Sequence, residues 1–143
     1  MRPIPVGQTA TFELVVTPEM TVDFEELGPL HPVYATYWMA KHLELVGRKV
    51  LLPYLDPVDE GIGYGVTVRH LAPAAPGMTL RVTGEHVRTE GNRIHVRCRV
   101  EDATGELIGE GETVQVVLPR SRLEARLRDA LERARVARER TER

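Results

Sequence analysis

HPVYATYWMAKHLELVGRKVLLPYLDP, residues 31–57, is the stretch that decides the fold. Its long apolar run begins after Pro32 and is stopped by Pro53 and Pro57, which predicts one main helix over about 35–52. At 100° per residue, Thr36, Met39, Leu43, Val46, Gly47 and Val50 cluster on one face, while Lys41, Arg48 and Lys49 lie away from it. Ala40 and Glu44 fall at the edge of that stripe. Gly47 in mid-helix costs up to about 1 kcal/mol relative to alanine, a cost that a helix lying tight against a sheet can absorb.

Working outward, the flanking segments read as strands. TATFELVV (9–16) places Phe12, Leu14 and Val16 on one face, and TPEMTVDFEELGPLHP after it reads as a turn-rich connector. GIGYGVTVRH (61–70) alternates, so Ile62, Tyr64, Val66, Val68 and His70 are expected on one face, with Gly63 on the other. TLRVTGEHVRTE (79–90) and RIHVRCRVED (93–102) flank Gly91-Asn92, a hairpin signal, and Thr104-Gly105 leads into a further strand over 106–118. One long helix against an antiparallel meander is an α+β arrangement. Residues 1–118 are expected to form one domain. Residues 119–143 are expected to extend it as a charged helix, opening with Ser121 and Glu124 in capping-box spacing. Leu123, Leu127, Ala130, Leu131 and Ala134 form its narrow apolar seam, read as a light dock on the body or an oligomer contact.

The composition excludes several function classes. The chain has 143 residues, 42% hydrophobic and 28% charged, enough for one globular core. A net charge of −2 offers no argument for nucleic acid or a membrane surface. Residues 120–143 carry nine Arg against five acids, yet the acids are interleaved, unlike a nucleic-acid arm. The single Cys98 rules out an internal disulfide and a Cys-based zinc site, and its parity with Ile94, Val96 and Val100 marks core filling. No apolar run approaches the ~20 residues of a membrane span, and MRPIPVGQTA lacks a signal-peptide core, so a cytoplasmic protein is expected.

Three reactive side chains stand out: Thr36 and Glu44 on the helix, and His70 at the end of the following strand. A hydroxyl, a carboxylate and an imidazole are what hydrolysis of an activated acyl group needs. Each also has a structural reading. Thr36 near the helix start suits an N-cap, which would still leave its hydroxyl beside free amides. Glu44, with Lys41 at i−3 and Arg48 at i+4, suits a surface ion pair. His70 suits a half-buried core histidine, and Gly63 a strand bulge. His42 is expected on the polar side of the helix, His31 in a turn and His95 opposite Cys98, while His86 is ambiguous. No set of residues has metal-ligand spacing, and GIGYG is not followed by the helix that dinucleotide binding requires.

The pattern resembles the hotdog fold of acyl-CoA thioesterases and dehydratases, and within it the fluoroacetyl-CoA thioesterase-like branch, from about Val6 to Leu118. VGQTATFELVVTPEMTV is similar to that branch's first strand and connector, and residues 33–57 to its catalytic helix and following turn. Thr36, Glu44, Gly63 and His70 fall where the family has its threonine, glutamate, glycine and histidine, at matching intervals. Pro76-Gly77 and Ile108-Gly109-Glu110-Gly111 also correspond. Gln115 stands where the family has an arginine near the fluoroacyl group, and Leu27 and Leu30 replace its aromatic lid.

The resemblance implies a cofactor-free acyl-CoA thioesterase using Thr36, Glu44 and His70. Gly63, Gln115, Leu27 and Leu30 would lie at the substrate, some acyl-CoA other than fluoroacetyl-CoA. It also implies a homodimer, or a dimer of dimers, with active sites at the subunit interface. An enoyl-CoA hydratase or dehydratase on the same fold, and a non-catalytic acyl-CoA-binding domain, are the competing expectations.

Overall fold

The computed structural model describes residues 1–142. In chain order it contains β1 (Thr9–Val15), β2 (Thr21–Phe24), β3 (Gly28–Tyr34), α1 (Thr36–Leu51), β4 (Asp59–His70), β5 (Thr79–Glu90), β6 (Arg93–Asp102), β7 (Leu107–Pro119) and α2 (Arg120–Glu142). Five strands form one antiparallel sheet in the order β1-β5-β6-β7-β4, and α1 lies against all five. This is the α+β wrapping expected from the alternating strands and the single apolar helix.

The core follows from the two periodicities. α1 buries Met39, Leu43, Val46, Val50 and Leu51, and the sheet answers with Leu80, Val82, Ile94, Val96, Cys98, Val100 and Ile108. Each fully buried aliphatic chain contributes roughly 1.5–3 kcal/mol. Gly47 allows the close approach between the layers. A Cβ there would fall on Thr113 Oγ1 of β7, well inside van der Waals contact. Cys98 is fully buried, and burial pushes its thiol up to about 12, so it fills space and does not react.

Four expectations need correction. The connector is structured: β2 and β3 pair as a small separate hairpin around Gly28, whose φ of +73° makes the turn, and Pro29 and Pro32 are tolerated in a ladder only two strands wide. His42 is buried, because Phe12, Tyr34 and Trp38 pack around the side of α1 that the charge pattern marks as polar. Its burial lowers the imidazole pKa, and its Nδ1 is hydrogen-bonded to the Tyr34 hydroxyl. Helix α2 begins at Arg120, directly after β7, so Ser121 lies inside the first turn and does not cap it. Its side chains are nowhere fully buried, with Leu127 and Leu131 exposed.

The fourth correction positions the site. The β4–β7 register slips at Tyr64: Gly63 pairs with Gln115, and Gly65 already pairs with Val114. A bulge adds one residue and reverses which parity faces the helix. Before it, Gly61 and Gly63 face α1, and after it Val66, Val68 and His70 do. Gly63 and His70 therefore share a face, whereas unbroken alternation would have separated them. Tyr64 itself is 60% exposed and lies under the Arg93 guanidinium.

Candidate active site

The site runs along the exposed edge of α1 opposite β4. Thr36 is the first helical residue. Ala35 is the N-cap residue, and Thr36 does not cap the helix. Its hydroxyl is committed elsewhere, to His70 Nδ1 at 2.9 Å. The first intrahelical bond runs from the Met39 amide to the Ala35 carbonyl, which leaves the amides of Thr36, Tyr37 and Trp38 as the free first-turn donors. Those amides and the helix dipole favour negative charge beside the Thr36 hydroxyl.

His70 ends β4 half-buried. Burial lowers its pKa, and a backbone hydrogen bond at Ala72 offsets this only partly. The ring is thus neutral near pH 7 and able to accept a proton. The Tyr34 ring stands edge-on to it at 6.0 Å between centroids, and Tyr34 is itself fixed by stacking on His42 at 5.7 Å. Burial raises the Tyr34 pKa, so that ring stays neutral beside both imidazoles.

Glu44 lies two turns further along α1. The ion pair suggested by its neighbours does not form. Arg48 bonds Glu60 Oε1 and the Gly61 carbonyl, each at 2.8 Å, and Lys41 sits over the Trp38 ring at 4.3 Å. Among the described residues, the Glu44 carboxylate has neither a hydrogen bond nor an ion pair, and it does not contact His70 as a hydrogen-bond partner. A Cβ on Gly63 would lie 3.5 Å from Glu44 Oε1, so the bare backbone of β4 passes directly in front of the carboxylate. Glu44, Gly63 and Gln115 line one cleft of about 130 Å³.

Leu27 and Leu30 lie on the β2–β3 hairpin, 69% and 46% exposed. They do not line the cleft that holds Glu44. The hairpin is tied to the start of α1 by Tyr37, whose hydroxyl accepts from the Asp23 amide at 2.9 Å and donates to the Asp23 carbonyl at 2.8 Å. Sequence reasoning missed Tyr34 and Tyr37, because neither belongs to a reactive triad. A strand bulge was one reading of Gly63 and the structure has one beside it, but its reversal of parity, which turns Gly63 to the face of His70, was not foreseen. Among the described residues, no three His, Cys, Asp or Glu side chains lie close enough to hold a metal ion. No helix among them is long and apolar enough to cross a membrane.

A sheet wrapped around one helix, with a hydroxyl, an imidazole and a carboxylate along the helix edge, defines a hotdog thioesterase. Residues 16–121 match the family of the fluoroacetyl-CoA-specific thioesterase, and the chain belongs to it. The fluoroacetyl-CoA thioesterase of Streptantibioticus cattleyicolor is 31% identical over 86% of this chain and 91% of its own. A Thermus thermophilus hypothetical protein, a thioesterase superfamily member, is 58% identical, covers 95% of this chain and 99% of its own, and superposes with a TM-score of 0.93. A mutant of the fluoroacetyl-CoA-specific thioesterase in complex with fluoroacetate and CoA is 30% identical over 83% of this chain and 98% of its own, with a TM-score of 0.75. The chain is accordingly an acyl-CoA thioesterase, a thioester hydrolase.

Proposed function

We propose that this thioesterase hydrolyses a short acyl-CoA by way of the Thr36–His70 pair, with Glu44 activating the water. The single observation that carries this is the 2.9 Å bond between Thr36 Oγ1 and His70 Nδ1, a hydroxyl held by a neutral imidazole. Thr36 Oγ attacks the thioester carbon while its proton passes to His70. The C–S bond then breaks, and the CoA thiolate leaves with that proton. In the second half, water attacks the acyl-threonine carbon as Glu44 takes its proton; the bond from that carbon to Thr36 Oγ breaks, Oγ receives that proton, and the acid is released with Glu44 again a carboxylate. The Gly63 backbone and the free amides at the start of α1 supply donors for the oxyanion, a single donor being worth roughly 3 kcal/mol in comparable sites. The chemistry draws on these side chains alone, without a metal or cofactor.

Departure from fluoroacetyl-CoA as substrate is supported by Gln115, which stands where the family has an arginine. Leu27 and Leu30, exposed on the hairpin, stand where the family has its aromatic lid. A homodimer is supported by β4, a twelve-residue strand at the open edge of the sheet that also carries Gly63 and His70. A partner pairing there would close the site, with Val58, Tyr64 and Leu71 as exposed apolar chains on or beside that edge. A cytoplasmic site of action follows from the substrate, since CoA thioesters are made and consumed there.

Purified protein is expected to release free CoA thiol from short acyl-CoA thioesters, and acid quenching during turnover should trap an acyl group on Thr36. An acyl group recovered on Glu44 would reassign the nucleophile. A complete absence of thiol release would overturn the hydrolytic reading.

A further inference from the structure

Gln115 is a buried amide with nothing to bind. It is 6% exposed, and its Oε1 has no hydrogen-bond partner; among the described residues the whole carboxamide makes no side-chain hydrogen bond. Unpaired buried amides are costly, and folded proteins retain them where a ligand completes them. Two glycines make room beside this one. A Cβ on Gly61 would lie 3.3 Å from Gln115 Oε1, and one on Gly47 would lie 3.5 Å from Nε2. The residue lines the same cleft as Glu44 and Gly63, paired across the sheet with Gly63 itself.

The cleft also limits size and charge. It is a small, open cleft of about 130 Å³. The Arg48 guanidinium at its wall is already held by Glu60 and the Gly61 carbonyl, so it offers no free cation. Glu44 is left as the unpaired charge at the cleft, and it repels a second carboxylate.

Resting on the thioesterase reading, we propose that the acyl group carried by the substrate is short, uncharged and hydroxylated, with Gln115 as the specificity residue. A carboxamide accepts at Oε1 and donates at Nε2, so it can both receive a hydroxyl proton and bond the hydroxyl oxygen. A methyl group at the same place leaves the amide unpaired. That asymmetry lets a polar pocket reject an isostere that lacks the hydroxyl. Glu44 disfavours dicarboxylic acyl groups, and the small cleft favours a short one.

Glycolyl-CoA and propionyl-CoA test this directly, because their acyl groups have equal numbers of non-hydrogen atoms and differ in a hydroxyl for a methyl. The full chain is expected to show kcat/KM for glycolyl-CoA roughly ten- to a hundredfold above that for propionyl-CoA. Gln115→Met should bring the ratio to about one or below. A wild-type ratio near one, or a variant that slows both thioesters equally, overturns the assignment; the latter would place Gln115 at the thioester carbonyl. If neither thioester is hydrolysed, the hydrolytic reading fails, and calorimetric titration decides the pocket separately. Tighter binding of glycolyl-CoA by tenfold or more supports it, and equal binding overturns it.

Discussion

The two halves of the site are built on opposite principles. At the start of α1, Thr36 and His70 are already joined, and the ring is backed by Tyr34 and, through it, by His42. Two turns along, Glu44 and Gln115 have no side-chain partner among the described residues. The first half is a hydrogen-bonded pair already joined through Nδ1, with only the buried His70 Nε2 left without a partner. The second is an open cleft whose polar groups are completed only by what binds there. On the proposed mechanism the comparison separates machinery from recognition: the joined pair would move the proton, and the unpaired groups would select the acyl group.

The difference can be broken from either side. The largest effect should come from His70→Ala, which removes the prepared base and should lower kcat by 10²–10⁴-fold in a thiol-release assay. Glu44→Gln should cost about 10²-fold in kcat, yet leave the thermal midpoint unchanged within about 0.5 kcal/mol, because no ion pair is lost. A destabilisation well beyond that would show that Glu44 has a structural partner after all.

The pH profile sharpens the contrast further. Neutral His70 is the working form, and burial lowers its pKa below the ordinary 6.5. Activity should therefore stay high as pH falls to 6.5 and decline only below it, through an inflection that His70→Ala abolishes. An inflection above 6.5 would contradict a half-buried base. Gly63→Ala gives the smallest effect. Its new Cβ would meet Glu44 Oε1 at ordinary contact distance, so folding should survive while kcat/KM falls about tenfold as the methyl crowds the acyl group in the cleft. Gly47→Ala is the stability counterpart, since overlap with Thr113 should cost about 1–3 kcal/mol in a denaturation experiment.

Much of this was legible in the sequence, for physical reasons. The helix over 36–51 was visible because its apolar stripe repeats at 3.6 residues and prolines bound it. The meander was visible because Gly91 and Gly105 sit at turns that require positive φ. The facing of Gly63 was not legible, since alternation predicts it until one extra residue reverses the parity, and nothing local states how many residues a bulge will take. Glu44 could not be separated from a surface ion pair until Arg48 was seen bound to Glu60, twelve residues away in sequence but adjacent in space. His42 was misplaced for the same kind of reason: beside Trp38 of its own helix, the burial comes from Phe12 and Tyr34 on other elements.

The central claim is that the bulge brings two unlike halves onto one face so that they serve one reaction. A double-mutant cycle on kcat tests it most directly, using His70→Ala, Glu44→Gln and the two combined. Groups that act as a unit lose most of their effect with the first removal. The double variant should therefore be about as slow as the slower single variant. Losses that multiply in full, or wild-type turnover in either single variant, would contradict the account.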